Sequence, residues 1–420
     1  MIQFPYGISD FKRIRSQGML YLDRTAHIPA IEAAGDQLVF LRPRRFGKSL
    51  LLSTLANYYD QYTADEFPAL FGDLAIGRNP TAEHNQYLIL RWDFSKVSAQ
   101  GDLAAITGNL FRHLNECIKG FAQKYEAILK FPITVYPEDG LASFDSLTNS
   151  VKNSGHTLYL LIDEYDNFAN EILTSDPHDR VRYHDLLEGE GVLKTLFKVI
   201  KASASEGKIS RVFITGVSPM VLSDMTSGYN VATSIYLDER FNALCGVTQD
   251  ELALLLQQIL PDHQQDISRV TDILDVMRRF YNGYRFCEVL ALPLIYNPTL
   301  SFYFLRHYQQ NGEMPRQMLD GNLAMDAGRI RYIANLPVGG AVIDQILDET
   351  RNTPLRQLET RFGVEQLQRV QNDPTYMLSL LYFFGVLTIA DVDGMGRLVL
   401  AIPNLVIRDL CAEQKPCRQH

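Results

Sequence analysis

The stretch Leu38 to Leu55, LVFLRPRRFGKSLLLSTL, restricts what this chain can fold into more than any other. The apolar run Leu38 to Leu41 has the character of a buried strand and breaks at Arg42-Pro43. Arg44-Arg45-Phe46-Gly47-Lys48-Ser49 follows, and then Leu50, Leu51, Leu52, Leu55, Tyr58 and Tyr59 recur at helical spacing. A strand, a short loop with Gly-Lys-Ser and a helix make the setting in which a phosphate-binding loop is expected. The helix N-terminus there turns unpaired N–H groups and the positive end of the helix dipole toward an anion. On this reading Arg44, Arg45, Phe46, Gly47, Lys48, Ser49 and Leu50 surround the phosphates of ATP. Lys48 reaches the β- and γ-phosphates, and the Ser49 hydroxyl ligates Mg2+. The motif G-x-x-x-x-G-K-[ST] has glycine where this chain has Arg42, so a basic turn opening an ordinary buried helix is the competing account.

The second half of a nucleotide site comes later. His156 to Asp166, HTLYLLIDEYD, is an apolar strand that ends in paired acids. In a parallel sheet, such a strand end faces the ligand crevice. Asp163 is placed to hold Mg2+, and Glu164 to polarise an attacking water. Further strands are expected at Tyr87 to Phe94, Ile209 to Pro219 and Thr233 to Leu237, with a long helix over residues 103–129. Thr215 and Ser218 lie where a hydroxyl senses the γ-phosphate from an adjacent strand, or where it merely satisfies backbone groups. Strands alternating with helices predict an α/β fold, a parallel sheet covered on both faces.

At 420 residues the chain is long for one core, and three regions are expected: 1–245, 246–320 and 321–420. The first is the nucleotide-binding core. Within it, residues 1–36 are expected to pack across the sheet, close enough for a role beside the base. From Thr248 helices dominate and suggest a lid, in which Arg285 either reaches a nucleotide or packs. Residues 321–373 read as helical. Met377 to Phe383 then forms a helix before a hairpin turning at Asp393-Gly394, a winged-helix-like tail.

A net charge of −9 argues against nucleic-acid binding over the whole surface, though not against a local basic groove. Cys117, Cys245, Cys287, Cys411 and Cys417 are scattered without a C-x-x-C pair, which speaks against structural zinc and for reduced thiols. The N-terminus lacks the apolar core of a signal peptide, and Leu380 to Ala390 is too short to span a bilayer. A soluble cytoplasmic protein without a membrane partner is the expectation.

Taken in order, GISDF (Gly7 to Phe11), YLDRT (Tyr21 to Thr25), RPRRFGKS (Arg42 to Ser49) and LIDEYD (Leu161 to Asp166) resemble the predicted AAA-ATPase-like family. ITGVSP (Ile214 to Pro219), YNGYRF (Tyr281 to Phe286), YNP (Tyr296 to Pro298) and IPN (Ile402 to Asn404) continue the resemblance over nearly the whole chain. Arginine at the first P-loop position is usual in that family, so the resemblance makes Arg42 a variant rather than a defect. It implies a P-loop NTPase core of the ASCE/AAA-like kind, with a helical lid and a winged-helix-like end. It also implies Lys48 and Glu164 as catalytic residues, with Ser49 and Asp163 at the metal. Members join the ATPase to a C-terminal nuclease of the PD-(D/E)XK type, for which Leu405 to His420 is too short.

Three functions follow as expectations. The first is an ATPase acting as a nucleotide-dependent switch, with a homo-oligomer or a nuclease subunit as its partner and a role in antiphage defence as its setting. Arg44 and Arg45 then neutralise phosphate, act in trans in an oligomer, or pair with the sheet edge. The others are a regulator docked on nucleic acid and a nucleotide-binding scaffold without turnover.

Overall fold

The apolar runs become one sheet in the computed structural model. Strands β1 (Gln37–Leu41), β2 (Leu88–Asp93), β3 (Leu158–Asp163), β4 (Ile209–Gly216) and β5 (Thr233–Ser234) pair in parallel in the order β2-β3-β4-β1-β5. The structure describes residues 1–167, 191–219, 231–319, 330, 334, 336, 338–348, 353–360, 362 and 373–413. Strand β4 lies between β1 and β3, with Phe40 opposite Thr215 and Ile162 opposite Ile214. Parallel pairing sends the ends of β1, β3 and β4 to the same edge, which brings residues 42–49, 163–166 and 215–218 together.

Both faces of the sheet are buried, which is why its strands read as unbroken apolar runs. Val39, Leu41, Leu90, Trp92, Leu160, Ile162, Val212 and Ile214 share a core with α6 (Leu103–Lys124), α7 (Gly140–Asn153) and α8 (Val192–Ser205). Their neighbours Leu38, Phe40, Ile89, Tyr159, Leu161 and Phe213 pack against α1 (Phe11–Ser16), α2 (Ile28–Ala34) and α3 (Lys48–Tyr59). Two short helices, α4 (Phe67–Phe71) and α5 (Ala75–Arg78), complete that side.

Some boundaries move for local reasons. The helix expected over 103–129 stops at Lys124, where Tyr125 leaves helical backbone geometry (φ −105°, ψ 16°) and its hydroxyl meets the sheet edge, donating to Asp60 and accepting from Ile89 N–H. The strand expected at Thr233 to Leu237 shortens to two residues. Ile235 still donates to Val39, but the Tyr236 carbonyl turns to accept from the Arg42 guanidinium, and the chain leaves the sheet.

Beyond the sheet lie α9 (Gln249–Ile259), α10 (Arg269–Tyr281) and α11 (Pro298–Asn311), the helices expected for a lid. Thr248 and Glu251 form a capping box at the start of α9. The C-terminal region holds α12 (Gly339–Leu347), α13 (Pro374–Phe383), α14 (Leu405–Glu413) and a three-stranded antiparallel sheet. That sheet, β6 (Thr353–Leu355), β7 (Thr388–Val392) and β8 (Leu398–Ala401), runs in the order β6-β8-β7. β6 corrects the all-helical expectation for residues 321–373: Pro354 disfavours helix, and Thr353 pairs with Leu400. Much of the rest of 321–373, and Cys417, fall outside the described residues.

The YNGYRF and IPN stretches meet where this region joins the helices before it. The Asn404 side chain donates to the Asn282 carbonyl at 2.8 Å. Gly283, at φ 103°, admits the Pro403 carbonyl so closely that a Cβ would lie 2.0 Å from it. Arg285 proves to be a packing arginine: it donates to the carbonyls of Ile389, Ala390 and Leu290.

Candidate nucleotide site

The loop between β1 and α3 has the backbone of an anion cradle. Arg45 (φ 66°) and Gly47 (φ 96°) are left-handed, and such residues among right-handed neighbours turn successive N–H groups to one side. Helix α3 starts at Lys48 without a side-chain cap, and its first helical bond runs from Leu51 N–H to the Gly47 carbonyl. The earlier N–H groups therefore have no partner within the helix. Lys48 is buried, and its ammonium donates to the carbonyls of Arg42 (3.1 Å) and Pro43 (3.2 Å) and lies 3.5 Å from Glu164.

Arg42 explains the missing glycine. Its guanidinium is fully buried and donates to the carbonyls of Leu41, Tyr236 and Phe241 at 2.7–2.8 Å. It is sandwiched between the rings of Phe40 (4.4 Å) and Phe286 (4.1 Å). Burial pushes its pKa down to about 10, so it remains a cation at neutral pH. The residue braces the loop from below rather than facing the cavity above it. Phe46 has a similar role: its ring is buried in edge contacts with Tyr284 and Phe286, leaving its backbone for a ligand.

Across the β3–β4 seam, Thr215 Oγ1 donates to Asp163 Oδ1 at 2.6 Å, and the Ser49 hydroxyl lies beside the same carboxylate. Burial raises the Asp163 pKa against the lowering effect of the Ser49 and Thr215 hydroxyls. Thr215 is fully buried, so its hydroxyl orients Asp163 instead of projecting into the cavity. Glu164 does project there, from a left-handed backbone (φ 52°) uncommon for a side chain of its size.

A cavity of 510 Å³ opens above the loop, lined by Arg45, Phe46, Gly47, Lys48, Ser49, Leu50 and Glu164. Arg44, half-exposed, is not in its wall. Its opposite wall comes from residues 5–9 and 20–22, so the N-terminal segment both packs and borders the cavity. Pro298, Thr299 and Phe302 of α11 close the side, and Thr299 donates to the Arg45 carbonyl. The segment is tied to that helix: Gln309 exchanges two 2.9 Å hydrogen bonds with the Ile2 backbone, and Phe4 packs on Phe302.

Sequence reasoning gave no role to several of these residues, although their motifs stood out. Arg24, from YLDRT, forms a two-pronged ion pair with Glu251 at 2.5 and 2.8 Å and also donates to the Gly246 carbonyl. Tyr21 bonds the Thr54 hydroxyl beside the cavity. Gln309 carried no local signal, because its partner is 307 residues away in sequence.

The residues suit a magnesium nucleotide. A cradle of backbone N–H groups, a buried lysine and a carboxylate held by Thr215 beside the Ser49 hydroxyl match the charge and donor pattern of a metal-bound triphosphate. Among the described residues there is no cluster of three or more His, Cys, Asp or Glu side chains for a metal ion, and Cys117, Cys245, Cys287 and Cys411 are free thiols. A metal here would depend on Ser49, Asp163 and the phosphates together.

Sheet order, loop and paired acids define a P-loop NTPase in which a strand separates the loop strand from the acidic strand. The chain belongs to the family described as Predicted AAA-ATPase, which matches residues 5–226, more than half its length. It is 25% identical over 417 residues to an uncharacterized protein from the vnfD 5′ region of Azotobacter chroococcum mcd 1, spanning 97% of this chain and 68% of that one. The Walker-type ATPase PABY2304 of Pyrococcus abyssi superposes with a TM-score of 0.54 at 14% identity, over 93% of this chain and 96% of that one, a likeness of fold. Among the described residues no helix is long and apolar enough to cross a membrane.

Proposed function

We propose that this chain binds ATP with Mg2+ and hydrolyses it as a nucleotide-dependent switch. The observation that carries the reading is the meeting of Lys48, Ser49 and Glu164 at one cavity, with Asp163 buried beside Ser49, at the ends of two strands separated by a third. The N–H groups of Gly47, Lys48, Ser49 and Leu50 bind the phosphates, and Lys48 leaves the Arg42 and Pro43 carbonyls to pair with them. Arg45 borders that end of the cavity and adds positive charge, while Phe46 contributes only its backbone. Ser49 and Asp163 would hold a magnesium ion, which would supply charge neutralisation on the phosphates; Thr215 keeps Asp163 oriented. Glu164 positions the attacking water. Residues 5–8 and 20–22 provide an apolar bed for the base.

The switch works through contacts that depend on the loop. Pro43 touches Gly385, where a Cβ would lie 2.8 Å away, and Phe46 touches Tyr284 and Phe286. A shift of the loop on binding is therefore felt in the C-terminal region, where a second copy or a nuclease subunit would respond. The free thiols suit a cytoplasmic setting.

The test is magnesium-dependent ATP turnover and nucleotide binding by wild type, Lys48→Ala and Glu164→Gln. Wild type should turn over, Lys48→Ala should lose binding by about 100-fold, and Glu164→Gln should bind with turnover reduced about 100-fold or more. Binding without turnover in wild type, unchanged in Glu164→Gln, would leave a scaffold instead.

A further inference from the structure

The acid at the end of LIDEYD has no part in that scheme, yet it is fully buried at the seam between β3 and β4. Asp166 Oδ1 accepts from Val217 N–H at 3.1 Å, and Oδ2 accepts from Ser218 N–H and the Ser218 hydroxyl, both at 2.9 Å. A carboxylate taking several donors from one short loop is a strong, directional clamp.

We propose that Asp166 is a positioning residue that clamps the loop after β4 and thereby fixes Glu164 for water activation. This rests on the reading of Glu164 given above. The clamp is double: Tyr165 N–H donates to the Thr215 carbonyl at 3.1 Å, and the Tyr165 hydroxyl donates to the Ser218 carbonyl. Asn167 N–H closes the turn on the Glu164 carbonyl at 2.9 Å. The strands approach so closely that a Cβ on Gly216 would lie 2.4 Å from the Tyr165 ring and 2.5 Å from Asp166 Oδ1. Gly216 is thus required at the strand end, and the motifs LIDEYD and ITGVSP are two halves of one contact.

The clamp accounts for the backbone of Glu164. A left-handed glutamate persists only where its surroundings over-determine it, and here the residues on its C-terminal side are pinned to β4. With the pins released, Glu164 relaxes toward an ordinary φ, and its carboxylate leaves the position beside Lys48. Thr215, whose carbonyl receives Tyr165 N–H while its hydroxyl holds Asp163, transmits the same disturbance to the metal side. Asp166 touches no reacting atom in this account; it acts through Glu164.

The experiment uses the full chain with Asp166→Asn and Ser218→Ala, measured for ATP turnover, nucleotide affinity and amide hydrogen exchange. Asparagine keeps the size of aspartate but turns an N–H2 group on donors, and Ser218→Ala removes one of the clamp's donors. Nucleotide Kd and KM should stay within about threefold of wild type, while kcat falls about 100-fold in Asp166→Asn and several-fold in Ser218→Ala. The amides of Tyr165 and Val217 should lose exchange protection together in both. The proposal is overturned if both variants keep kcat within about twofold, or if losses in kcat merely follow the folded fraction. It is also overturned if Tyr165 and Val217 keep wild-type protection. If Asp166→Asn does not fold, Ser218→Ala decides by the same readings. A wild type that never hydrolyses defeats the ATPase reading, and the exchange result still decides the clamp.

Discussion

Restoring glycine at position 42 would make the loop conform to G-x-x-x-x-G-K-[ST], and on motif grounds it should improve nucleotide binding. The structure predicts the opposite. Arg42→Gly strips donors from the carbonyls of Leu41, Tyr236 and Phe241, each a loss of about 1 kcal/mol when a buried acceptor is left without its partner. Losing the contacts with the Phe40 and Phe286 rings costs about 1 kcal/mol apiece. Relief from burying a charge offsets part of that sum, since burial already lowers the Arg42 pKa. A net destabilisation of about 3 kcal/mol follows, the cost of breaking a buried charged network. Urea denaturation followed by near-ultraviolet circular dichroism should therefore give a lower midpoint for Arg42→Gly, with Lys48→Ala as the control that alters the site without removing the brace. Nucleotide affinity should fall as well, because Phe286 supports both Arg42 and Phe46. An unchanged midpoint with equal or tighter binding would refute the reasoning and place Arg42 among the ligand contacts.

Two further outcomes follow. Glu251 is held below its usual carboxylate range: burial raises it, but the hydrogen bonds and charge of Arg24 outweigh that. Its contribution is therefore present above the unfolded carboxylate pKa and lost as pH falls through the lower folded one. Glu251→Gln should cost about 1–2 kcal/mol at pH 7 and flatten the acid limb of the stability curve below the unfolded carboxylate pKa, checked by urea titrations from pH 7 downward. Wild type and variant with parallel acid limbs would count against the ion pair. Gln309→Ala removes the hydrogen bonds that tie the N-terminal segment to α11 without touching the loop, and nucleotide affinity should weaken about 3- to 10-fold while the urea midpoint moves little. Isothermal titration would detect it, and unchanged affinity would separate the segment from the site.

The sequence by itself determined the sheet and the chemical inventory of the site. β1, β3 and β4 are buried on both faces, so their apolar runs were visible without knowing what covered them. Gly47-Lys48-Ser49 and Asp163-Glu164 were visible because each is a local pattern set by a turn or a strand end. Arg42, Thr215 and Phe46 were visible as residues but not in their roles. Whether a side chain faces a ligand or the core depends on elements far away: Phe286 under Arg42, Asp163 beside Thr215, Tyr284 against Phe46. β6 was missed because a three-residue strand has too little periodicity to register and exists only through its pairing with β8. The tertiary structure alone decided that the N-terminal segment walls the cavity and that Asp166 grips the neighbouring strand. Those contacts link residues distant in sequence, and local pattern records which groups are available, not which of them folding brings together.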